Sequence, residues 1–212
     1  MTPNGCSYHT LKILSTDGTA LSSTDFCTGS IGVVTLPVTG TYTVLVDPYT
    51  TNTGNVTLTL YDVVDVTGPI TPGGAAVALS LPTPGQVARL TFSGTANQKV
   101  SVVPSGFSMT PNGCSYHTLA ILKPDGTTLS SSDFCTGSIA GPAVLPVTGT
   151  YTVLVNPYYT STGTGTVRLY DVVDVTGSIT PNGVAQAVNL TTPGQQAAWT
   201  FTGTALARQG RK

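Results

Sequence analysis

Most of this chain is written twice. The segment from Thr2 to Ile31 recurs 108 residues later, from Thr110 to Ile139. After a one-residue insertion near Gly141-Pro142 the spacing becomes 109, which carries Pro37 onto Pro146 and Tyr61 onto Tyr170. Roughly four matched positions in five are identical, so the chain is a duplication with a period of about 109 residues. Solenoid repeats are much shorter; this period is the size of a whole sandwich domain.

The phase of the duplication constrains the architecture further. Asp62-Val63-Val64-Asp65-Val66-Thr67-Gly68 and its copy, Asp171 to Gly177, read as joints between units. With the boundary at the joint, residues 66–174 form one complete unit. Residues 1–65 are then the C-terminal part of a unit and 175–212 the N-terminal part of another, together 103 residues. Met1 aligns with Met109, so the chain is expected to begin inside a unit. It is expected to end inside one too, Gly203-Thr204-Ala205 matching Gly94-Thr95-Ala96. From Leu206 onward the sequence leaves the copy, so the strand expected near Val100 has no second version.

Composition decides what the unit is made of. The chain has 212 residues, 8 Lys+Arg and 9 Asp+Glu, and every acid is an aspartate. Helices draw on Glu, Lys, Arg, Gln and Ala, whereas Thr, Ser and Val dominate here, with 24 Gly and 15 Pro. Val44 and Val46 alternate with Thr43 and Leu45; Val56, Leu58 and Leu60 alternate with Thr57 and Thr59; Ala88, Leu90 and Phe92 alternate with Arg89 and Thr91. The last face is kept in the copy as Ala197, Trp199 and Phe201. Each pattern reads as a strand. Asp17-Gly18 and Pro124-Asp125-Gly126 are turn signals. The expectation is an all-β chain of tandem jelly-roll or Ig-like β-sandwich repeats. A net charge of −1 and the lack of a basic stripe give no footprint for nucleic acid, and no apolar run is long enough for membrane insertion as a helix.

Few residues carry chemistry. Cys6 and Cys27 recur as Cys114 and Cys135, each pair 21 apart and without CxxC spacing. This predicts one disulfide per repeat, about 3 kcal/mol by loop-closure entropy, and an oxidising, extracellular or cell-surface location. His9 and His117 are one position in two copies; lacking ligand spacing around them, they read as packed histidines rather than catalytic or metal-binding ones. Asp17 and Asp125 read as turn residues, and Asp25 and Asp133 sit beside the second cysteine. Asp62, Asp65, Asp171 and Asp174, two acids three apart at each joint, are weak calcium candidates, and no other cofactor is expected. No Gly-x-Ser-x-Gly elbow or His-Glu-x-x-His motif is present, so no enzyme is expected.

Within 66–174, four stretches carry a family resemblance. They are Leu90-Thr91-Phe92-Ser93-Gly94-Thr95-Ala96, Leu122-Lys123-Pro124-Asp125-Gly126-Thr127-Thr128-Leu129, Leu145 to Val155, and Val167-Arg168-Leu169-Tyr170. In order and spacing the unit resembles the bacterial pre-peptidase C-terminal (PPC) domain. The joint Asp171 to Pro181 is similar to joints in tandem arrays of such domains on bacterial surface and Rhs-type proteins. The resemblance implies a jelly-roll-like sandwich, secretion, and a binding or structural duty without catalysis. Some relatives bind calcium, but this chain lacks their Glu-rich stretch.

Half-units expose sheet edges that another chain can complete. The strands expected at Ala185–Leu190 and Ala197–Phe201, with Ala185, Val188, Leu190, Ala197, Trp199 and Phe201 as the assembly face, are expected to complete the head of a neighbouring copy. Such a contact is heterologous and propagates a filament, the partner being the chain itself. The alternative expectation is a binding or spacer module of a longer adhesin-like array.

Overall fold

The computed structural model describes residues 8–25, 29–111, 113, 116–135 and 140–205. Among them are fourteen strands and no helix; the chain is all-β. The head carries β1 (Thr10–Leu14), β2 (Ala20–Asp25) and β3 (Thr43–Asp47). The middle carries β4 (Val66–Pro69), β5 (Val77–Leu81), β6 (Ala88–Gly94), β7 (Lys99–Thr110), β8 (Thr118–Leu122), β9 (Thr128–Ser132), β10 (Ala140–Val144), β11 (Gly149–Asn156) and β12 (Thr162–Asp171). The tail carries β13 (Val175–Ser178) and β14 (Ala197–Thr200).

The middle strands make two sheets, β10-β7-β12-β5 and β4-β6-β11-β8-β9. Strict alternation makes them two-faced. Along β6, Ala88, Leu90, Phe92 and Gly94 are buried while Arg89, Thr91 and Ser93 are exposed, as period-two geometry requires. On β11, Tyr151, Val153 and Val155 point in. They meet Leu79 and Leu81 of β5, Val100 and Val102 of β7, and Val167 and Leu169 of β12 in one cluster. Both sheets therefore face a single core. Phe92 and Tyr151 pack with ring centroids 5.5 Å apart, and the Tyr151 hydroxyl donates to Val147 O at 2.7 Å, so the buried phenol is satisfied.

The two ends repeat pieces of this design. The head sheet, in order β2-β1-β3, copies β9-β8-β11: Thr10 faces Asp47 as Thr118 faces Asn156. The tail pair β13-β14 is parallel, with Val175 opposite Ala197, and copies β4-β6, where Val66 lies opposite Ala88. Turns repeat as well. Asp17 Oδ1 accepts from Thr19 N at 2.9 Å, and Asp125 Oδ1 from Thr127 N at 2.9 Å. In each, the following glycine takes a positive φ, 84° at Gly18 and 81° at Gly126, a region that L side chains avoid.

Two expected strands are not formed. The Val56, Leu58, Leu60 alternation lies in residues 54–65, which carry no strand until β4, and Ala185–Leu190 carries none either. The sheet topology supplies the reason. Their middle counterparts, β12 and β5, belong to the sheet whose hub is β7; β12 pairs with both β7 and β5, and β10 pairs with β7. Among the described residues of the two ends, no strand stands in the place that β7 takes in the middle. Without such a strand the ladder has nothing to assemble on, and alternation alone does not hold a strand.

Candidate assembly edges

The residues of each sheet edge are best read against their covered copies. In the middle, β6 and β11 zip together from Gly149 opposite Gly94 to Val155 opposite Ala88. At the ends, the copies of these two strands are β14 and β3, and neither pairs with the other. The sheet β4-β6-β11-β8-β9 is thus present a second time as two separated pieces, β13-β14 and β2-β1-β3.

The cost of the separation is visible in exposure. Phe201 is 54% exposed where Phe92 is 4%, and Val44 is 41% exposed where Val153 is buried completely. Trp199, the counterpart of Leu90, is half-buried against Gly177, whose missing Cβ would overlap the indole. A shallow hollow lined by Leu36, Pro37, Val38, Thr39, Gly40 and Tyr42 opens beside β3. Its floor is preformed, because the Tyr42 hydroxyl donates to Val38 O as Tyr151 does to Val147. In the middle, the equivalent space is filled from β6: Phe92 lies on Tyr151, and Gly94 sits so close to Leu145 and Tyr151 that no Cβ fits. Phe201 and Gly203 are the tail residues at those two positions.

Of the expected assembly face, Ala197 and Trp199 lie on β14, Phe201 follows directly after it, and Ala185, Val188 and Leu190 lie in a strandless stretch. Tyr42, Val44, Leu36 and Gly203 were not among the expected site residues. The signal for them is the offset itself, which maps each onto a residue of the β6–β11 contact.

The histidines are occupied by the backbone. His117 is buried, and its Nδ1 accepts from Tyr158 N at 2.8 Å while Nε2 lies 2.7 Å from Gly113 O. His9 is equally buried and accepts from Tyr49 N at 2.8 Å. Both rings fasten a loop some 40 residues away to the start of a strand. The joint carboxylates are latches. Asp174 receives both Lys99 Nζ contacts at 2.9 Å and Gln196 N at 2.9 Å; the Lys99 hydrogen bond, then that of Gln196, holds its carboxyl below the usual aspartate value. Asp65 accepts from Arg89 Nε and Val87 N, both at 3.3 Å, and Asp171 from Gln98 Nε2 at 2.9 Å. Among the described residues, no three His, Cys or acidic side chains converge as a metal site. Asp125 is pulled to about 2, chiefly by the hydroxyl and then the backbone N–H of Thr127. Cys135 is half-buried against the core, and its backbone N–H donates to Asp133 Oδ1 at 2.9 Å; Cys6, Cys27 and Cys114, and with them the expected pairings, lie outside the described residues.

One contact between middle and ends occurs twice. A Cβ on Gly85 would fall 2.6 Å from Val33, and a Cβ on Gly194 would fall 3.0 Å from Pro142. Val33 and Pro142 are one position in two copies, as are Gly85 and Gly194. Tyr159 adds to the first of these junctions: its hydroxyl bonds Ser30 N at 3.0 Å and Ser30 O at 2.9 Å, which draws the phenol below its usual range.

No family model matches the chain, and no curated protein does. Among solved structures it is similar to that of PliG from Aeromonas hydrophila, a periplasmic lysozyme inhibitor of g-type lysozyme. Identity is 14%, with 50% of this chain and 98% of that one covered, at a TM-score of 0.34. Among the described residues, no helix is long and apolar enough to cross a membrane.

Proposed function

We propose that this is a non-enzymatic, extracellular structural protein that assembles head to tail by β-strand complementation, β14 of one copy pairing with β3 of the next. The observation that carries the reading is that β13-β14 and β2-β1-β3 are the two pieces of the five-stranded sheet that the middle of the chain holds whole. The middle sheet supplies the register: Ala197 opposite Val46, Trp199 opposite Val44, Phe201 opposite Tyr42 and Gly203 opposite Gly40. Phe201 would then stack on Tyr42 as Phe92 stacks on Tyr151, and Gly203 would lie against Leu36. Each copy keeps one free head and one free tail, so the contact does not close and a filament or surface appendage results. The units of this array are 66–174 and the joined pair of 175–212 with 1–65. Bridges Cys6–Cys27 and Cys114–Cys135 would give each one disulfide, and the oxidising location follows from them.

Negative-stain images and sedimentation of the purified chain test the reading. Polymers that grow with concentration and vanish on Phe201→Asp are expected. An ordered, concentration-independent monomer would show instead that tail and head close within one chain.

A second reading, a binding or spacer module of a longer adhesin-like array of PPC-like domains, is favoured by the recurring Val33–Gly85 and Pro142–Gly194 contact. An identical junction on both sides of a unit is what a tandem array builds. A monomer with protease-sensitive ends and a resistant 66–174 fragment would select it.

A further inference from the structure

The tyrosines beside the two histidine anchors serve no core and no sheet edge, yet they are arranged twice in one way. We infer that the loops before β8 and after β11 carry an aromatic pad for a neutral, β-linked pyranose polysaccharide, and that the head carries a smaller copy. In the middle, the Tyr116 and Tyr158 rings lie 5.5 Å apart and tilted by 46°, and Tyr158 and Tyr159 lie 6.2 Å apart at 38°. In the head, Tyr8 and Tyr49 lie 5.3 Å apart at 41°, and Thr50 stands where the middle has Tyr159. The middle pad lies within one unit. It adds a ligand to the binding-module reading and does not rest on head-to-tail assembly.

Single exposed aromatics are ordinary on any surface; exposure, strain and support together set these apart. Tyr116 is 78% exposed and its copy Tyr8 74%. Their φ angles are 65° and 66°, and that of Tyr159 is 54°, in a left-handed region that bulky side chains avoid and that concentrates at ligand clamps. The pad is also fixed from beneath. Tyr158 N donates to His117 Nδ1, the His117 ring stacks on Phe134 at 4.8 Å, and Phe134 packs on Phe107 at 4.3 Å. Rings held in place before a ligand arrives lower the ordering cost of binding. The chemistry of the pad points to the ligand. Thr118, Asn156, Thr160 and Ser161, its neighbours in sequence, are neutral, and in the head Asp25 accepts from Tyr8 N at 3.2 Å, so it holds the loop. The Tyr159 hydroxyl is committed to Ser30 N and O. That residue offers a ligand its face alone, which suits a pyranose C–H face better than a peptide carbonyl. A β-linked pyranose with equatorial hydroxyls presents axial C–H groups to a ring and hydroxyls at its rim, matching the amphipathic phenols. It also repeats along its chain, as the pads do along this one.

The test uses the full chain with cellohexaose and a soluble mixed-linkage β-glucan, read by titration calorimetry and by retardation in gels containing the glucan. Saturable binding of both is expected. Tyr116→Ala with Tyr158→Ala should weaken binding to the glucan about tenfold or more, because engagement through two pads at once is lost. Tyr158→Phe keeps the ring and should stay near wild type. Tyr116→Gly separates site from scaffold, since it removes the ring and relieves the positive φ. Its melting temperature should not fall while its binding does. Phe201→Asp, which acts only on the tail, should leave binding unchanged. No binding, equal binding by the double alanine variant, or a melting temperature that falls in step with binding in Tyr116→Gly would overturn the proposal. So would capture of a decaproline peptide that cellohexaose does not displace, since the pad would then be a peptide site. A protease-resistant 66–174 fragment without glucan binding would sink the pad and leave the module reading standing.

Discussion

The middle and the two ends of this chain are nearly the same sequence in two circumstances, and they differ in burial rather than in local structure. The Asx turns at Asp17 and Asp125, the histidine anchors at His9 and His117, and the tyrosine hydroxyls of Tyr42 and Tyr151 make matching bonds in both copies. Leu169 is fully buried and its copy Leu60 is exposed; the same holds for Phe92 and Phe201. Local bonds depend on neighbours in sequence and are kept. Burial depends on strands contributed from elsewhere, and it is lost where those strands are missing.

The contrast is sharpest for core truncation. Leu169→Ala should destabilise the chain by about 2–5 kcal/mol, while Leu60→Ala should change stability by less than about 0.5 kcal/mol. Urea denaturation of the two variants in dilute solution decides; comparable losses would mean the head has its own closed core. Glycine gives the next largest effect. Gly94→Val collides with Leu145 and Tyr151 and should cost about 1–3 kcal/mol. Gly203→Val should leave the melting temperature unchanged and suppress polymer growth, which thermal melts and light scattering separate.

A smaller, purely spectroscopic effect concerns Trp199, the single tryptophan of the chain. Pairing of β14 with β3 would cover it, so its emission should shift to the blue with rising concentration in wild type but not in Phe201→Asp. A shift that persists in the variant would break the link between assembly and β14. Acid produces the smallest change. The Asp174 carboxyl is held low by Lys99 and Gln196, so its contribution is complete above about pH 3.9 and fades as pH falls through the lowered folded value. The Asp125 turn, with its carboxyl at about 2, should persist until the pH nears that value. Amide exchange at Thr127 during acid titration should stay slow well below about pH 3.9 and lose protection only there; loss of protection near pH 3.9 would show that the turn does not hold the carboxyl low.

Much of this was legible in the sequence because it is local. The alternation of Ala88, Leu90 and Phe92 and the Asp-Gly turns declare themselves within a few residues. The candidate edges were legible in part: Ala197, Trp199 and Phe201 follow from the copy of β6. The unformed strands at 54–65 and 185–190 were not, since their alternation is as clean as that of β12 and β5. Among the described residues they have no paired neighbour of the kind β7 gives β12 in the middle, and periodicity does not report on partners. The roles of His9 and His117 were hidden for the same reason, the backbone N–H groups that donate to their Nδ1 atoms belonging to Tyr49 and Tyr158.

The free edges, β3 and β14, are unlike each other, and that gives any assembly built on them a direction. A polymer of this kind would have two chemically different tips, one offering an antiparallel edge beside the Tyr42 hollow and the other offering Trp199 and Phe201. A chain with a damaged tail and an intact head would still dock, and would then stop elongation at one tip while the opposite tip continued to grow.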